Sequence, residues 1–368
     1  MRHIYLAATG QNRGKTTVSL GVMDGFQRRG LSTGFIKPVG QRTVIEEGVP
    51  ADEDAVLMKT VFKLEEPLGQ MSPVHIPRGF TQAYIEGTVL EDLPAKIRSA
   101  HAQFAREREI LLIEGTGHAG VGAVIGLSNA VVAAMLGSPA VIVSEGGVGR
   151  PIDEIVLNKA LFERSGVRVA GAIVNKVDLA AKPDLARTLE RGLARHDIPL
   201  LGVLPYRPIL SNPTLAMVLE GVHGETIHPG PDLDQVIGGV AIGAMEPEHM
   251  LQRIGERSLV IVPGDRDDVI AAIVHAHRIK SPAAGDALGL VLTGGYRPRQ
   301  AVIDAIRHAD LFATIVPEDT YAVASEIHDL LVKTHPADAG KIAEIKALLW
   351  EYLFIDRVLD VAEEARLD

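Results

Sequence analysis

Near the amino terminus, Gly10-Gln11-Asn12-Arg13-Gly14-Lys15-Thr16-Thr17 combines a glycine loop with a lysine and two hydroxyls. We read it as a phosphate-cradling P-loop of the G-x-x-x-x-G-K-[ST] type. It lies between an apolar run, Ile4 to Ala8, and a helix-forming stretch from Val18. Unpaired backbone N–H groups at the loop and helix start would face phosphate oxygens, and the helix dipole adds to that attraction. In this arrangement Lys15 reaches the β- and γ-phosphates while the Thr16 hydroxyl ligates Mg²⁺. A nucleoside triphosphate is the expected ligand.

Three further groups fall where such a site needs charge. Lys37 ends an apolar run closed by Pro38, from which it would meet a γ-phosphate or a transferring group; a solvated lysine at a strand end has the same spacing. Asp52-Glu53-Asp54 opens a helix, so these acids either complement the dipole or, at Asp52 or Asp54, face Mg²⁺. Glu114 closes the run Glu109–Ile113 and is followed by Gly115-Thr116-Gly117. A carboxylate ending a buried strand is costly without a partner, and here it would hold Mg²⁺ directly or through water. Asn175-Lys176-Val177-Asp178 ends another strand. It resembles the base-recognition element of GTPases, but the Asn175 amide serves adenine equally well, since it both donates and accepts.

The elements that must position these residues alternate along the first 208 residues. Strand-like runs at His3–Ala8, Thr33–Lys37, Glu109–Ile113, Ala140–Ser144, Val169–Val174 and Leu200–Leu204 are separated by helical patterns at Asp52–Lys63, Leu93–Arg108, Asn129–Leu136, Ile152–Arg164 and Asp184–Arg195. Such alternation implies a mostly parallel sheet with helices on both faces, and ligands at the carboxyl ends of its strands. Prolines around Tyr206–Pro213 mark a boundary. The expected domains are 1–210, a smaller α/β unit at 211–336, and a helical segment at 337–368. In the last, Ile342, Ile345, Leu348, Leu349, Tyr352, Leu353 and Leu359 share one face, which either docks on its own domain or forms a dimer.

Composition narrows the partners. A net charge of −10 and the lack of basic runs exclude nucleic acid as a main partner. The absence of cysteine removes disulfides, thiolate metal sites and a cysteine nucleophile. No apolar run reaches the length of a membrane span, so a cytoplasmic protein is expected.

Taken in order, the loop, Lys37-Pro38, Asp54, Glu114-Gly115 and Asn175 resemble dethiobiotin synthetase and its relatives. That resemblance implies a P-loop NTPase fold, ATP and Mg²⁺ as cofactors, Lys15 and Lys37 at the phosphoryl-transfer centre, Thr16, Asp54 and Glu114 toward Mg²⁺, and Asn175 on adenine. Gln11, Asn12, Arg13 and Gln41 depart from the residues that handle the diamine in the synthetase. The whole chain is more similar to the non-catalytic amino-terminal part of long phosphate acetyltransferases and their stand-alone relatives. Glu114 to His118 and Gly146-Gly147-Val148-Gly149 with Asp153 and Glu154 carry that likeness. Asp265-Arg266 and Thr293-Gly294-Gly295 resemble the motif of a DRTGG domain. The resemblance implies a regulatory domain with a small-molecule or protein partner, a homodimer, and no acetyl-transferring domain. An ATP-dependent ligase and a static nucleotide-bound scaffold are the competing expectations.

Overall fold

The structure is a computed structural model that describes residues 1–46, 48–179, 181, 183–280, 286–330 and 333–364. The chain forms two compact units, Met1–Tyr206 with Thr334–Asp368, and Arg207–Lys333. In the first, strands β1 (Arg2–Ala8), β2 (Thr33–Ile36), β3 (Ile110–Glu114), β4 (Ala140–Glu145), β5 (Val169–Val177) and β6 (Leu200–Pro205) make one sheet in the order β6-β5-β4-β1-β3-β2. Every pairing is parallel. The strands read as continuous apolar runs because helices cover both faces; all five residues of β3 are buried. Parallel pairing brings the ends Ala8, Ile36, Glu114, Glu145, Val177 and Pro205 to one edge. Strand order reverses at β1, which opens the crevice where ligands of such sheets bind.

Helices α1 (Lys15–Arg28), α2 (Glu53–Phe62), α3 (Leu93–Glu107), α4 (Asn129–Met135), α5 (Gly149–Arg164) and α6 (Leu185–Ala194) connect these strands. Between Lys37 and Asp52 the sequence showed no element, yet Thr43–Glu46 pairs antiparallel with Val49–Asp52, exposed but for the buried Ala51 and Asp52. Its strands of four residues are too short to stand out as alternation.

The carboxyl-terminal segment returns to this first unit. One continuous helical face was expected through Leu359, but the chain breaks into α12 (Ala339–Tyr352) and α13 (Ile355–Glu364), the intervening numbers belonging to the second unit. The break has a cause. Leu353 bridges Gly202 in an antiparallel contact, and the Phe354 N–H donates to the Leu201 carbonyl at 2.8 Å. The open edge of β6 thus competes with the helix for this backbone. Of the two readings of the segment, the described residues show it docked on the unit that carries the loop.

The second unit is a five-stranded sheet of β7 (Glu225–His228), β8 (Gly239–Ile242), β9 (Ser258–Pro263), β10 (Ala287–Thr293) and β11 (Phe312–Ile315), in the order β7-β11-β10-β9-β8. Only β7 runs antiparallel. Its helices are α7 (Leu215–Val222), α8 (Pro247–Leu251), α9 (Asp267–Arg278), α10 (Gln300–His308) and α11 (Thr320–Asp329). One core joins α8, α9 and α10 to the sheet through Met250, Ile270 and Ile306, and the other joins α7 and α11 through Val218 and Val323. The sequence pattern predicts a helix over Tyr321–Lys333, whereas α11 ends at Asp329; Leu331 and Val332 lie outside the described residues.

A histidine pair links β1 to α3. His3 Nε2 lies 3.1 Å from the Gly137 carbonyl, and His3 Nδ1 lies 3.2 Å from His101 Nε2. If His3 donates from Nε2, its Nδ1 accepts from His101, an arrangement that suits two neutral rings. Burial, reinforced by His3, pulls the His101 pKa down to about 4. Its folded pKa is therefore below its unfolded value, so the pair's contribution is complete above about pH 6.5 and is lost as pH falls toward 4. Urea unfolding followed between pH 4 and 7 should show a shallower fall in stability for His101→Gln than for the parent; equal slopes would remove the pair as a source.

Candidate functional site

The loop leaves β1 at Ala8 and enters α1 at Lys15. Asn12 (φ 57°) and Gly14 (φ 89°) take left-handed conformations that turn the chain. Gly14 has a second reason to be glycine, since a Cβ there would lie 2.0 Å from Asn175 Nδ2. No side chain caps the start of α1 and no acid stands in its first turn, so its free N–H groups and partial positive charge have no protein counterpart. One expectation needs correcting. Three residues separate Gly10 from Gly14, so Thr9 stands where the G-x-x-x-x-G-K-[ST] pattern has its first glycine. The Thr9 hydroxyl donates to Glu154 Oε2 at 2.8 Å, which gives that position a tethering role a glycine could not fill.

Beneath the loop lies a buried charge cluster. The Lys37 ammonium, 4% exposed, donates to Asp54 Oδ2 at 2.6 Å and to Glu114 Oε1 at 2.8 Å. Thr16 donates to Asp54 Oδ1 at 3.0 Å and Ser19 to Glu114 Oε2 at 2.5 Å. Lys37 and Glu114 meet because β2 and β3 are adjacent and in register, Ile36 opposite Ile113. Asp54 is delivered by the first turn of α2. There Asp52 is the N-cap: one oxygen accepts from the Asp54 N–H at 3.1 Å, the other from the Gln41 and Arg42 N–H groups. The two readings of this acidic triplet thus divide between residues, with Asp52 capping and Asp54 facing the site.

The electrostatics follow from this packing. Burial would raise the Asp54 carboxyl, but Lys37 and the hydrogen bonds from Lys37 and Thr16 outweigh it and hold the pKa at about 2. Glu114 is fully enclosed; burial, with Asp54 adding to it, lifts its pKa to about 7 against the pull of Lys37. Burial opposes the Lys37 charge, yet its carboxylates win and raise its pKa well above the ordinary value. Lys15 differs. Among the described residues it makes no hydrogen bond or ion pair, and burial, aided by Lys37, lowers its pKa to about 8. It is a half-buried cation with no ion-pair partner among the described residues, its charge opposed by Lys37 and favoured at longer range by Glu114 and Asp54.

A second network braces the loop from the side of β4 and β5. Asn175, 5% exposed, donates from Nδ2 to the Arg13 carbonyl at 3.1 Å, and Lys176 Nζ to the Asn12 carbonyl at 2.8 Å. Arg13 folds over Gly10 and pairs with Glu145, while Glu145 also pairs with Lys176 at 3.0 Å. One N–H of Asn175 therefore fixes the loop. Asp178 accepts from the Ala181 N–H at 2.9 Å in a local turn. Gln11 and Asn12 form the exposed rim, and Thr17 is half-buried in the first turn of α1.

Sequence reasoning missed the residues that hold the Glu114 strand end. Asn129 Oδ1 accepts from Tyr5 Oη at 2.8 Å and from the Thr116 N–H at 3.0 Å; its Nδ2 donates to the Thr116 and His118 carbonyls at 2.7 and 2.6 Å. Only the placement of Asn129 directly after Ser128 at a helix start hinted at a role. Beside this loop is a cleft with about 50 Å³ of solvent-accessible space, lined by Val39, Gln41, Thr116, Ile125, Leu127 and Asn129 among others. His118 is exposed, and its Nδ1 accepts from the Gly120 N–H at 3.1 Å.

In the second unit, Asp265-Arg266 and Thr293-Gly294-Gly295 end the neighbouring strands β9 and β10. Arg266 forms a forked pair with Asp268 at 2.9 and 3.0 Å and is itself the N-cap position of α9, so Asp265 is left exposed. Gly294 and Gly295 are both left-handed and donate to the Glu318 and Val316 carbonyls.

Comparison with known proteins agrees with this division. An AAA domain family model matches residues 2–214 and a DRTGG domain model matches residues 217–330. A phosphate acetyltransferase from Synechocystis is 24% identical over 381 residues, covering 99% of this chain and 52% of the relative. One from Pseudomonas putida is 28% identical over 354 residues, covering 90% and 47%. The chain thus spans about half the length of these relatives. Among solved structures, MinD from Pyrococcus horikoshii complexed with Mg-ADP is 17% identical, with a TM-score of 0.38 over 57% of this chain and 83% of that one. The CBS and DRTGG domains of Clostridium perfringens pyrophosphatase, complexed with diadenosine tetraphosphate, are 21% identical, with a TM-score of 0.27 over 38% and 60%. By the family match over residues 2–214, the chain belongs to the P-loop AAA domain family, and a DRTGG domain follows that region.

Proposed function

We propose that this protein binds ATP with Mg²⁺ at the loop, hydrolyses it slowly if at all, and uses the DRTGG unit as a regulatory part that responds to a ligand or partner, within a cytoplasmic homodimer. The observation that carries the reading is Lys15: a half-buried cation with no hydrogen bond or ion pair among the described residues, at an uncapped helix start without acids, beside a second lysine paired with two carboxylates. An anion of high charge density is what this arrangement lacks.

The residues present fit the nucleotide and its metal. Bound Mg-ATP would supply the transferable phosphoryl group and the charge that Lys15 lacks. Lys15 would hold the terminal phosphates, and Lys37 would orient and neutralise them from below. The adjacent oxygens of Thr16 and Asp54 suit a hard cation that takes one or two protein ligands with phosphate oxygens. Glu114, with its raised pKa and its place behind Lys37, suits an outer role better than direct ligation. The free Asn175 oxygen is placed to accept from an adenine amino group.

A second reading draws on the cleft beside Gln41 and Thr116. Space for another small molecule next to the charge cluster is what an ATP-dependent ligase needs. Release of ADP that rises with an added amine or carboxylate would favour it; no stimulation by any of a panel would leave the regulatory reading ahead.

Two outcomes are expected. Calorimetric titration with Mg-ATP should show binding that Lys15→Ala weakens by about 100-fold, since hydrogen bonds to charged groups contribute about 1.5–3 kcal/mol each; no binding by the parent chain sinks the proposal. Lys37→Met should lower stability in urea unfolding by about 3–5 kcal/mol, because it strands buried carboxylates. A loss below about 1 kcal/mol would mean that the cluster is readily solvated.

A further inference from the structure

Helix α1 is buried without interruption from Val18 to Phe26, including the polar Ser19 and Asp24. A helix lying on a sheet ordinarily shows solvent one face. Here that face is covered by α12 and α13. Gly21 and Gly25 form the groove that admits them: a Cβ on Gly21 would lie 2.1 Å from Leu349 Cγ, and one on Gly25 would lie 2.7 Å from Ile355 Cδ1. Charge completes the fit. Asp24 is shared between Arg28 of its own helix, at 2.6 Å, and Lys346 of α12, at 3.3 Å. The Trp350 ring receives the Arg28 and Arg29 guanidinium groups at 4.8 and 5.9 Å, and Arg29 pairs with Asp356 of α13 at 2.5 Å.

The same segment also grips strand β6. Besides the Leu353–Gly202 bridge and the Phe354 N–H bond, Arg357 Nη1 donates to the Leu200 carbonyl at 3.2 Å. Chain connectivity gives this grip its meaning. The second unit leaves the first directly after β6, at Arg207, and returns to it at Thr334, just ahead of α12. One end of the second unit is therefore attached to β6, which the segment grips, and the other to the segment itself.

We propose that α12 is a coupling strut: its docking on α1 sets the position of Lys15 and Thr16, and a change in the second unit alters nucleotide affinity by loading or easing that contact. The proposal rests on the nucleotide reading above and adds the route of its regulation. A helix transmits displacement along its axis. Gly21 lies six residues from Lys15, about 9 Å at 1.5 Å per residue. Lys15 and Thr16 are the first two residues of that rod, so a shift at the groove reaches the atoms that would hold phosphate and metal. At Gly21 the Leu349 side chain packs directly on the backbone of α1, which leaves little slack there to absorb it. Linkage makes the effect reciprocal: if docking of α12 favours nucleotide, bound nucleotide favours docking of α12 by the same factor.

The test uses the full chain. Mg-ATP should bind Leu349→Ala at least about 5-fold more weakly than the parent, the lower end of ordinary coupling. Saturation of the parent with Mg-ATP should slow amide exchange across Ala339–Tyr352, in helix α12, which the proposed ligand site does not include. If Leu349→Ala does not fold, Trp350→Ala takes its place, since Trp350 is 55% exposed and its loss leaves the core intact. A folded variant with the parent's affinity, or unchanged exchange in α12 of the saturated parent, overturns the coupling while leaving the nucleotide site standing. A parent chain that binds no Mg-ATP overturns both, and so tells the two failures apart.

Discussion

An ammonium held between two carboxylates in a place that water does not reach is the interaction on which the first unit depends. Lys37 is nearly inaccessible and Glu114 wholly so, and removing such groups from water costs several kcal/mol per ion unless all are matched. The match is made by four separate segments. Adjacent strands bring Lys37 and Glu114 side by side, the first turn of α2 supplies Asp54, and α1 contributes Thr16 and Ser19. None of these can shift alone without leaving a buried charge or hydroxyl unsatisfied. The cluster thus fixes the register of the helix that opens with Lys15. Lys15 itself takes no part in these ion pairs and hydrogen bonds.

The loop above this floor is held from two sides by different chemistry. Below are the matched charges; at the flank, Asn175 and Lys176 take the backbone carbonyls of Arg13 and Asn12 while Glu145 takes the Arg13 side chain. The result is a loop already shaped before any phosphate arrives. Residues that close the loop by sequence, Gln11 to Arg13, are thereby divided in role: Gln11 and Asn12 face outward, and Arg13 serves the brace. Bracing of this kind would lower the ordering cost of binding the phosphate proposed for this loop.

Glycine at Gly21 and Gly25 connects this site to the rest of the chain. These positions lower the intrinsic propensity of α1, and packing against α12 and α13 more than offsets that loss. The carboxyl-terminal segment is thus part of the fold of the first unit although the whole second unit precedes it in sequence. Among the described residues no helix is long and apolar enough to cross a membrane, and the exposed edge of β6 is closed from within the chain at Leu353.

How much of this was legible beforehand depended on range. The loop, the lysine before Pro38, and the acid ending β3 each lie at a strand end, and strand ends are marked locally by an apolar run that stops. Lys37 and Glu114 could therefore be named from sequence, as could Asn175, whereas Asp54 was separated from Asp52 only through the family resemblance. The roles were less legible. Asp52 and Asp54 differ only in which one the helix start turns inward, and Asn175 looks the same whether it reads a base or fastens a loop. Tyr5, Ser19 and Glu145 carried no pattern at all, because each acts on a residue far away in sequence, and Asn129 carried only its place at a helix start. The break at Leu353 was hidden for the same reason: its helical spacing continues, and only the open edge of β6 interrupts it.

By itself, then, the sequence determined the parallel α/β layers, the place of the loop and the set of charged groups at the strand ends, because hydrophobic period and turn chemistry are local properties of the chain. Only the tertiary structure decided which charges are paired, leaving Lys15 with no ion-pair partner among the described residues, and that the last helices lie on α1. Both outcomes depend on desolvation and close packing between segments distant in sequence, whose energies belong to the pairing and not to either partner.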